Sequence, residues 1–113
     1  MTIPQIRPSA LDDWLARHAT RKPLVLDVRE VPELQVASVR ADGFELVHIP
    51  MSQLQARLPE LSPERPVACL CHHGMRSQQV AMYLARNGFD EVANLAGGID
   101  AWSLERDPSV PRY

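Results

Sequence analysis

Seven consecutive residues, Cys71-His-His-Gly-Met-Arg-Ser77, bring a soft nucleophile, two imidazoles, a glycine, a guanidinium and a hydroxyl within a short stretch. They follow an apolar run, Val67-Ala-Cys-Leu-Cys71, read as a buried strand, and precede Val80, Ala81, Leu84 and Ala85, which recur at helical spacing. A cysteine between a strand and a helix faces unpaired N–H groups and partial positive charge, both of which favour thiolate over thiol. Gly74 allows a tight loop in which successive amides can point into one concavity able to hold an anion. Arg76 adds a permanent positive charge beside it. The pattern predicts an anion-binding cradle around Cys71 as a nucleophile. Cysteine is also among the residues most often buried, and Cys69, one position deeper in the same run, is read as packing.

Other chemistries fit these residues less well. Cys69 and Cys71 with His72 and His73 could suggest zinc, but Cys-x-Cys is tighter than the usual spacing and its ligands would have to leave the sheet, so no metal or other cofactor is expected. A disulfide between the two is also a poor fit, because alternate Cα atoms of an extended chain lie about 6.6 Å apart. Asp27 and Arg29 close a second apolar run, Leu24-Val-Leu-Asp27-Val28, and are expected at the same end of the sheet as Cys71.

The elements that must position these residues follow from periodicity and punctuation. Ser9-Ala-Leu-Asp12 reads as a capping box opening a helix over 10–18, with Leu11, Trp14 and Leu15 on one face. Strands are expected at 24–28, 44–49, 67–71 and 92–95, and a short helix over 32–36. Another helix, capped by Ser52, should run to Arg57, and Ser77 should cap the helix that Asn87-Gly88 closes. Gly97-Gly98 leads into a last helix carrying Ile99 and Trp102, and residues 107–113 read as a C-terminal tail. Trp14, Phe89 and Trp102 fall on apolar faces and are assigned to the core. Strands alternating with helices predict an α/β fold, a central parallel sheet of about five short strands flanked by helices on both faces.

Cys71-His-His-Gly-Met-Arg76-Ser77, the Gly88-Phe89 turn, Val92 and Leu95-Ala-Gly-Gly-Ile-Asp-Ala-Trp102 together resemble the active-site loop and C-terminal signature of single-domain rhodaneses. Leu26-Asp27-Val28-Arg29-Glu30 is similar to that family's upstream Asp-x-Arg element. Where the family usually has Gly-His-Ile-Pro-Gly-Ala, this chain has Ala37-Ser38-Val39-Arg40-Ala41-Asp42 and extra residues before His48-Ile49-Pro50, so the stretch 37–48 departs from the pattern on the flank of the site. The resemblance implies a rhodanese-like sulfurtransferase: the Cys71 thiolate takes the outer sulfur of thiosulfate or a related donor, and cyanide or a thiol, including a protein thiol, accepts it. It further implies that His72, His73, Gly74, Met75, Arg76 and Ser77 form the binding site, their amides steadying the charged sulfur and the departing anion, that Arg76 binds the donor's oxyanion, and that Asp27 and Arg29 hold the loop in shape. Four residues separate Cys71 from Arg76. Cysteine phosphatases use a longer ring to encircle a phosphate, so ester hydrolysis is disfavoured.

At 113 residues, 45% of them hydrophobic and 23% charged, with a formal net charge of −2, the chain matches one domain, 1–113, and has no broad nucleic-acid footprint. Its longest apolar stretch, Pro66 to Cys71, is too short to span a bilayer, and the N-terminus lacks a secretory signal's apolar block, so a cytoplasmic setting that keeps both thiols reduced is expected. Two functions remain open at this point: a turnover enzyme acting on small sulfur donors, or a persulfide carrier that relays sulfur between protein partners.

Overall fold

The computed structural model describes residues 2–113 and consists of five parallel strands with helices on both faces. The strands are β1 (Gln5–Ile6), β2 (Leu24–Asp27), β3 (Glu45–His48), β4 (Val67–Leu70) and β5 (Val92–Leu95). The helices are α1 (Leu11–Arg17), α2 (Val31–Val36), α3 (Leu54–Arg57), α4 (Met75–Arg86) and α5 (Gly98–Glu105). Sheet order is β1-β5-β4-β2-β3. Strands β2, β4 and β5 are buried along their whole length. This accounts for their largely apolar sequences, since a strand covered on both faces has no solvent side to mark with polar residues; the polar exceptions, Asp27 and Asn94, are hydrogen-bonded in the interior.

Side-chain alternation divides the interior into two layers. Leu24, Leu26, Val67, Cys69 and Val92 pack with Leu54 of α3 and with Val80, Ala81 and Leu84 of α4. Val25, Ala68, Leu70, Ala93 and Leu95 face the other way, against Leu11 and Trp14 of α1 and Ile99 and Trp102 of α5. Trp14, Phe89 and Trp102 are all buried, as their spacing predicts.

Several local expectations are corrected. The α1 helix is preceded by a 3-10 turn at Pro8–Ala10, and Ser9 makes no cap but donates to Glu105. The fifth strand is β1, whose two residues are too few to carry a period. Ser52 donates to the Glu30 carboxylate instead of capping α3. The cap of α4 is Gly74, and Ser77 lies buried in its first turn. The stretch 107–113 is no loose tail: Val110 is buried, and its carbonyl accepts a 2.6 Å bond from Ser103. Among the described residues no helix is long and apolar enough to cross a membrane.

Sheet order determines where ligands can reach. From β2 the chain moves outward to β3 and then crosses back to β4, so the C-terminal ends of β2 and β4 flank the switch point at which open α/β sheets bind ligands. Cys71 follows β4, and Asp27 ends β2.

Candidate active site

Two donors converge on the Cys71 sulfur: the Gly74 amide at 3.1 Å and the Ser77 hydroxyl at 3.2 Å. Gly74 reaches this position with φ +105°, in the region glycine tolerates, and a β-carbon there would come within 3.2 Å of the Gly97 amide. The first-turn amides of α4 at Met75, Arg76 and Ser77 have no intrahelical acceptor, and no side chain caps them. The cradle expected from His72 to Ser77 is therefore formed in part, with Gly74 as the loop amide within bonding distance of the sulfur. Cys71 is 1% exposed and borders the α4-side core layer, so its sulfur is nearly enclosed.

The Ser77 hydroxyl has one proton and two neighbours, the sulfur and Asn94 Oδ1 at 2.5 Å. Asn94 is oriented by its amide, which donates to the Gly74 carbonyl at 3.0 Å and to Gln5 Oε1 at 2.9 Å, leaving Oδ1 toward Ser77. When the Ser77 proton lies on Asn94, Ser77 Oγ can accept from the Cys71 thiol. When the sulfur is a thiolate, the same proton can turn to it. One hydroxyl thus serves both states of the sulfur. Asn94 was not singled out from sequence, although a polar residue within a buried strand must find partners and is itself a signal.

The Arg76 guanidinium is engaged by a carboxylate. Its Nη1 and Nη2 each donate to Glu33 at 2.7 Å, and Glu33 also accepts from the Tyr113 hydroxyl and the Glu30 amide, both at 3.0 Å. Arg76 above all, then the Glu30 amide and the Tyr113 hydroxyl, hold the Glu33 carboxyl down at about 2, against an opposing push from burial. Glu33 and Tyr113 lay outside the sequence expectation because one sits in a weakly patterned stretch and the other in the supposed tail. His72 stacks on Tyr113 at 3.8 Å and donates through Nε2 to that residue's main-chain oxygen at 2.5 Å. His73 stacks on His72 from the other side and is exposed, as is Met75.

Asp27 and Arg29 are buried and paired, with Arg29 Nη2 donating to Asp27 at 2.7 Å. Arg29 Nη1 continues to the carbonyl of Ala37 at 2.8 Å and to the Tyr113 hydroxyl at 3.2 Å. The pair therefore anchors the start of the divergent 37–48 stretch and the Tyr113–Glu33–Arg76 chain, while Asp27 lies in register with Leu70, the residue before Cys71. Asp27→Ala would leave a buried guanidinium without its counter-charge, at a cost of roughly 3–5 kcal/mol. Urea unfolding should register it as a midpoint lowered by about 2 M. A midpoint unchanged from wild type would show that Arg29 does not depend on this carboxylate.

Cys69, by contrast, is fully buried among apolar side chains, and burial pushes its thiol far above the ordinary range. It behaves as core, as read from sequence.

A cysteine-bearing loop joining a buried parallel strand to a helix N-terminus, beside the switch point of a five-stranded sheet, defines the class, and the Rhodanese-like domain family matches residues 10–105. The chain belongs to that family. It is 42% identical over 93 residues to the Rhodanese-like/PpiC domain-containing protein 12 of Arabidopsis thaliana, covering 79% of this chain but 30% of that protein. It is 34% identical over 84 residues to a thiosulfate sulfurtransferase of Coxiella burnetii, covering 68% of this chain and 78% of that one. A rhodanese-related protein from Thermoplasma volcanium superposes with a TM-score of 0.74 at 28% identity, over 97% of this chain and 99% of that one.

Proposed function

We propose that this protein is a sulfurtransferase that carries a sulfane sulfur on Cys71. The Cys71 thiolate attacks the outer sulfur of thiosulfate or a related donor. A bond forms between the two sulfurs, the donor's sulfur–sulfur bond breaks, and sulfite leaves with the electron pair. A persulfide remains on Cys71. Cyanide or a thiol then attacks the outer sulfur, forming thiocyanate or a new persulfide and returning the thiolate. The reading rests on one observation above the others, the convergence of the Gly74 amide and the Ser77 hydroxyl on the Cys71 sulfur. The persulfide's outer sulfur lies one bond further out, where the unpaired first-turn amides of α4 can stabilise its charge without reorganising. His72, His73 and Met75 form the wall around that position, and Asp27 and Arg29 hold the flank. Two free cysteines suit a reducing compartment such as the cytoplasm.

Brief exposure to thiosulfate should add about 32 Da, one sulfur atom, to the intact protein, and peptide mapping should place it on Cys71. An unmodified Cys71 after exposure to thiosulfate and to an organic persulfide would refute the reading. Repeated turnover with cyanide marks the enzyme, whereas a stable single adduct marks a carrier that needs a protein acceptor.

A further inference from the structure

The two permanent cations on the flank of the cysteine loop are both engaged by carboxylates. Arg29 is paired with Asp27 in the interior. Arg76, the one guanidinium within the loop, is held through both of its terminal nitrogens by Glu33. Glu33 is in turn fixed by two further donors, the Glu30 amide and the Tyr113 hydroxyl, and Tyr113 is itself braced by Arg29 and by the stacked His72 ring. The pair is therefore built in, and close to neutral in sum.

Sulfur donors differ in the charge they bring. Thiosulfate carries two negative charges on a compact ion and needs either uncompensated positive charge or several free donors. An organic persulfide presents its transferable sulfur with at most one charge at the reacting end, which the amides of the α4 first turn can meet. We propose that Glu33 is a specificity-determining residue: by neutralising Arg76 it disfavours dianionic donors and biases the site toward organic persulfides. This rests on the sulfur-transfer reading of Cys71 and narrows its substrate class.

Glu33→Gln tests it. Glutamine keeps the shape and an acceptor for Arg76 and Tyr113 but removes the negative charge. The gain in kcat/KM for thiosulfate should be about tenfold, through a lower KM, while kcat/KM for glutathione persulfide changes by less than about threefold. That gain should shrink as ionic strength rises and vanish in a Glu33→Gln/Arg76→Gln double variant. Glu33→Ala, judged alongside by circular dichroism, should show the same direction if the glutamine variant folds poorly. An equal gain with both donors, no gain with thiosulfate, or a gain that persists without Arg76 would overturn the assignment. Wild-type protein that takes sulfur from neither donor would instead sink the sulfur-transfer reading itself, so the two failures are distinct.

Discussion

Cys71→Ser should lower sulfur transfer from thiosulfate to cyanide by at least about three orders of magnitude, to the uncatalysed background. A serine hydroxyl is not ionised at neutral pH and cannot hold a transferable sulfane sulfur, so both halves of the proposed cycle are lost together. The fold should survive. Serine is slightly smaller, its oxygen can take the Gly74 amide bond that the sulfur accepts, and the loop is shaped by main-chain contacts. A stability change within about 1 kcal/mol is expected. Cys69→Ala is the matched control. That thiol is wholly buried, and burial holds it in its neutral form, so it is no competing nucleophile. Its removal should cost about 1–2 kcal/mol of packing and leave transfer per folded molecule unchanged. Thiocyanate formation persisting in Cys71→Ser, or lost in a folded Cys69→Ala, would reverse the assignment.

The legible part of this protein is what simple periods and punctuation encode. Strands β2, β4 and β5 are visible because burial on both faces leaves short, largely apolar runs of strand length. The place of the proposed nucleophile is legible because Cys71 stands where such a run leads into the loop of Gly74. What escaped was the set of polar partners that converge from distant segments. Asn94 approaches Ser77 from β5, Glu33 reaches Arg76 from α2, and Tyr113 reaches Glu33 from the C-terminal stretch. None of these pairs has a sequence spacing, because side chains meet across the sheet edge only after the strands are ordered. Arg76 illustrates the consequence. Its charge was legible and its role as anion binder followed, but a charge acts with its partner, and the partner lay 43 positions away. The cap expected of Ser77 fails for a similar reason: a serine near a helix start is a common cap, but here the glycine takes that place and the hydroxyl turns inward to the Cys71 sulfur.

Gly98→Ala should be strongly destabilising. Gly98 opens α5 with φ +60°, and a β-carbon there would lie 2.4 Å from the carbonyl oxygens of Cys71 and His72 and 2.5 Å from the His72 carbonyl carbon. All three atoms are main chain and cannot rotate aside. The crowding follows from hydrogen bonding, since the next two amides of α5 bond those same carbonyls, Ile99 to Cys71 at 2.8 Å and Asp100 to His72 at 3.2 Å. The helix thereby grips the cysteine loop from behind while α4 addresses the sulfur from the front. An alanine must either push the helix away, breaking both bonds, or displace the loop, moving the sulfur off the Gly74 amide. Gly88→Ala isolates the backbone cost alone: Gly88 has φ +91° and nothing within 4 Å of its virtual β-carbon, so about 1–2 kcal/mol is expected there. Gly98→Ala should exceed about 4 kcal/mol, a large share of the roughly 5–15 kcal/mol that holds a domain together. Urea unfolding of the two variants gives the comparison, and persulfide formation per folded molecule should fall in Gly98→Ala while staying at the wild-type level in Gly88→Ala. Equal midpoints would mean that α5 tolerates a shift and does not clamp the loop. A large stability loss with undiminished persulfide formation would mean that the loop holds its shape without the helix, leaving Gly74 and the α4 turn as its sole organisers.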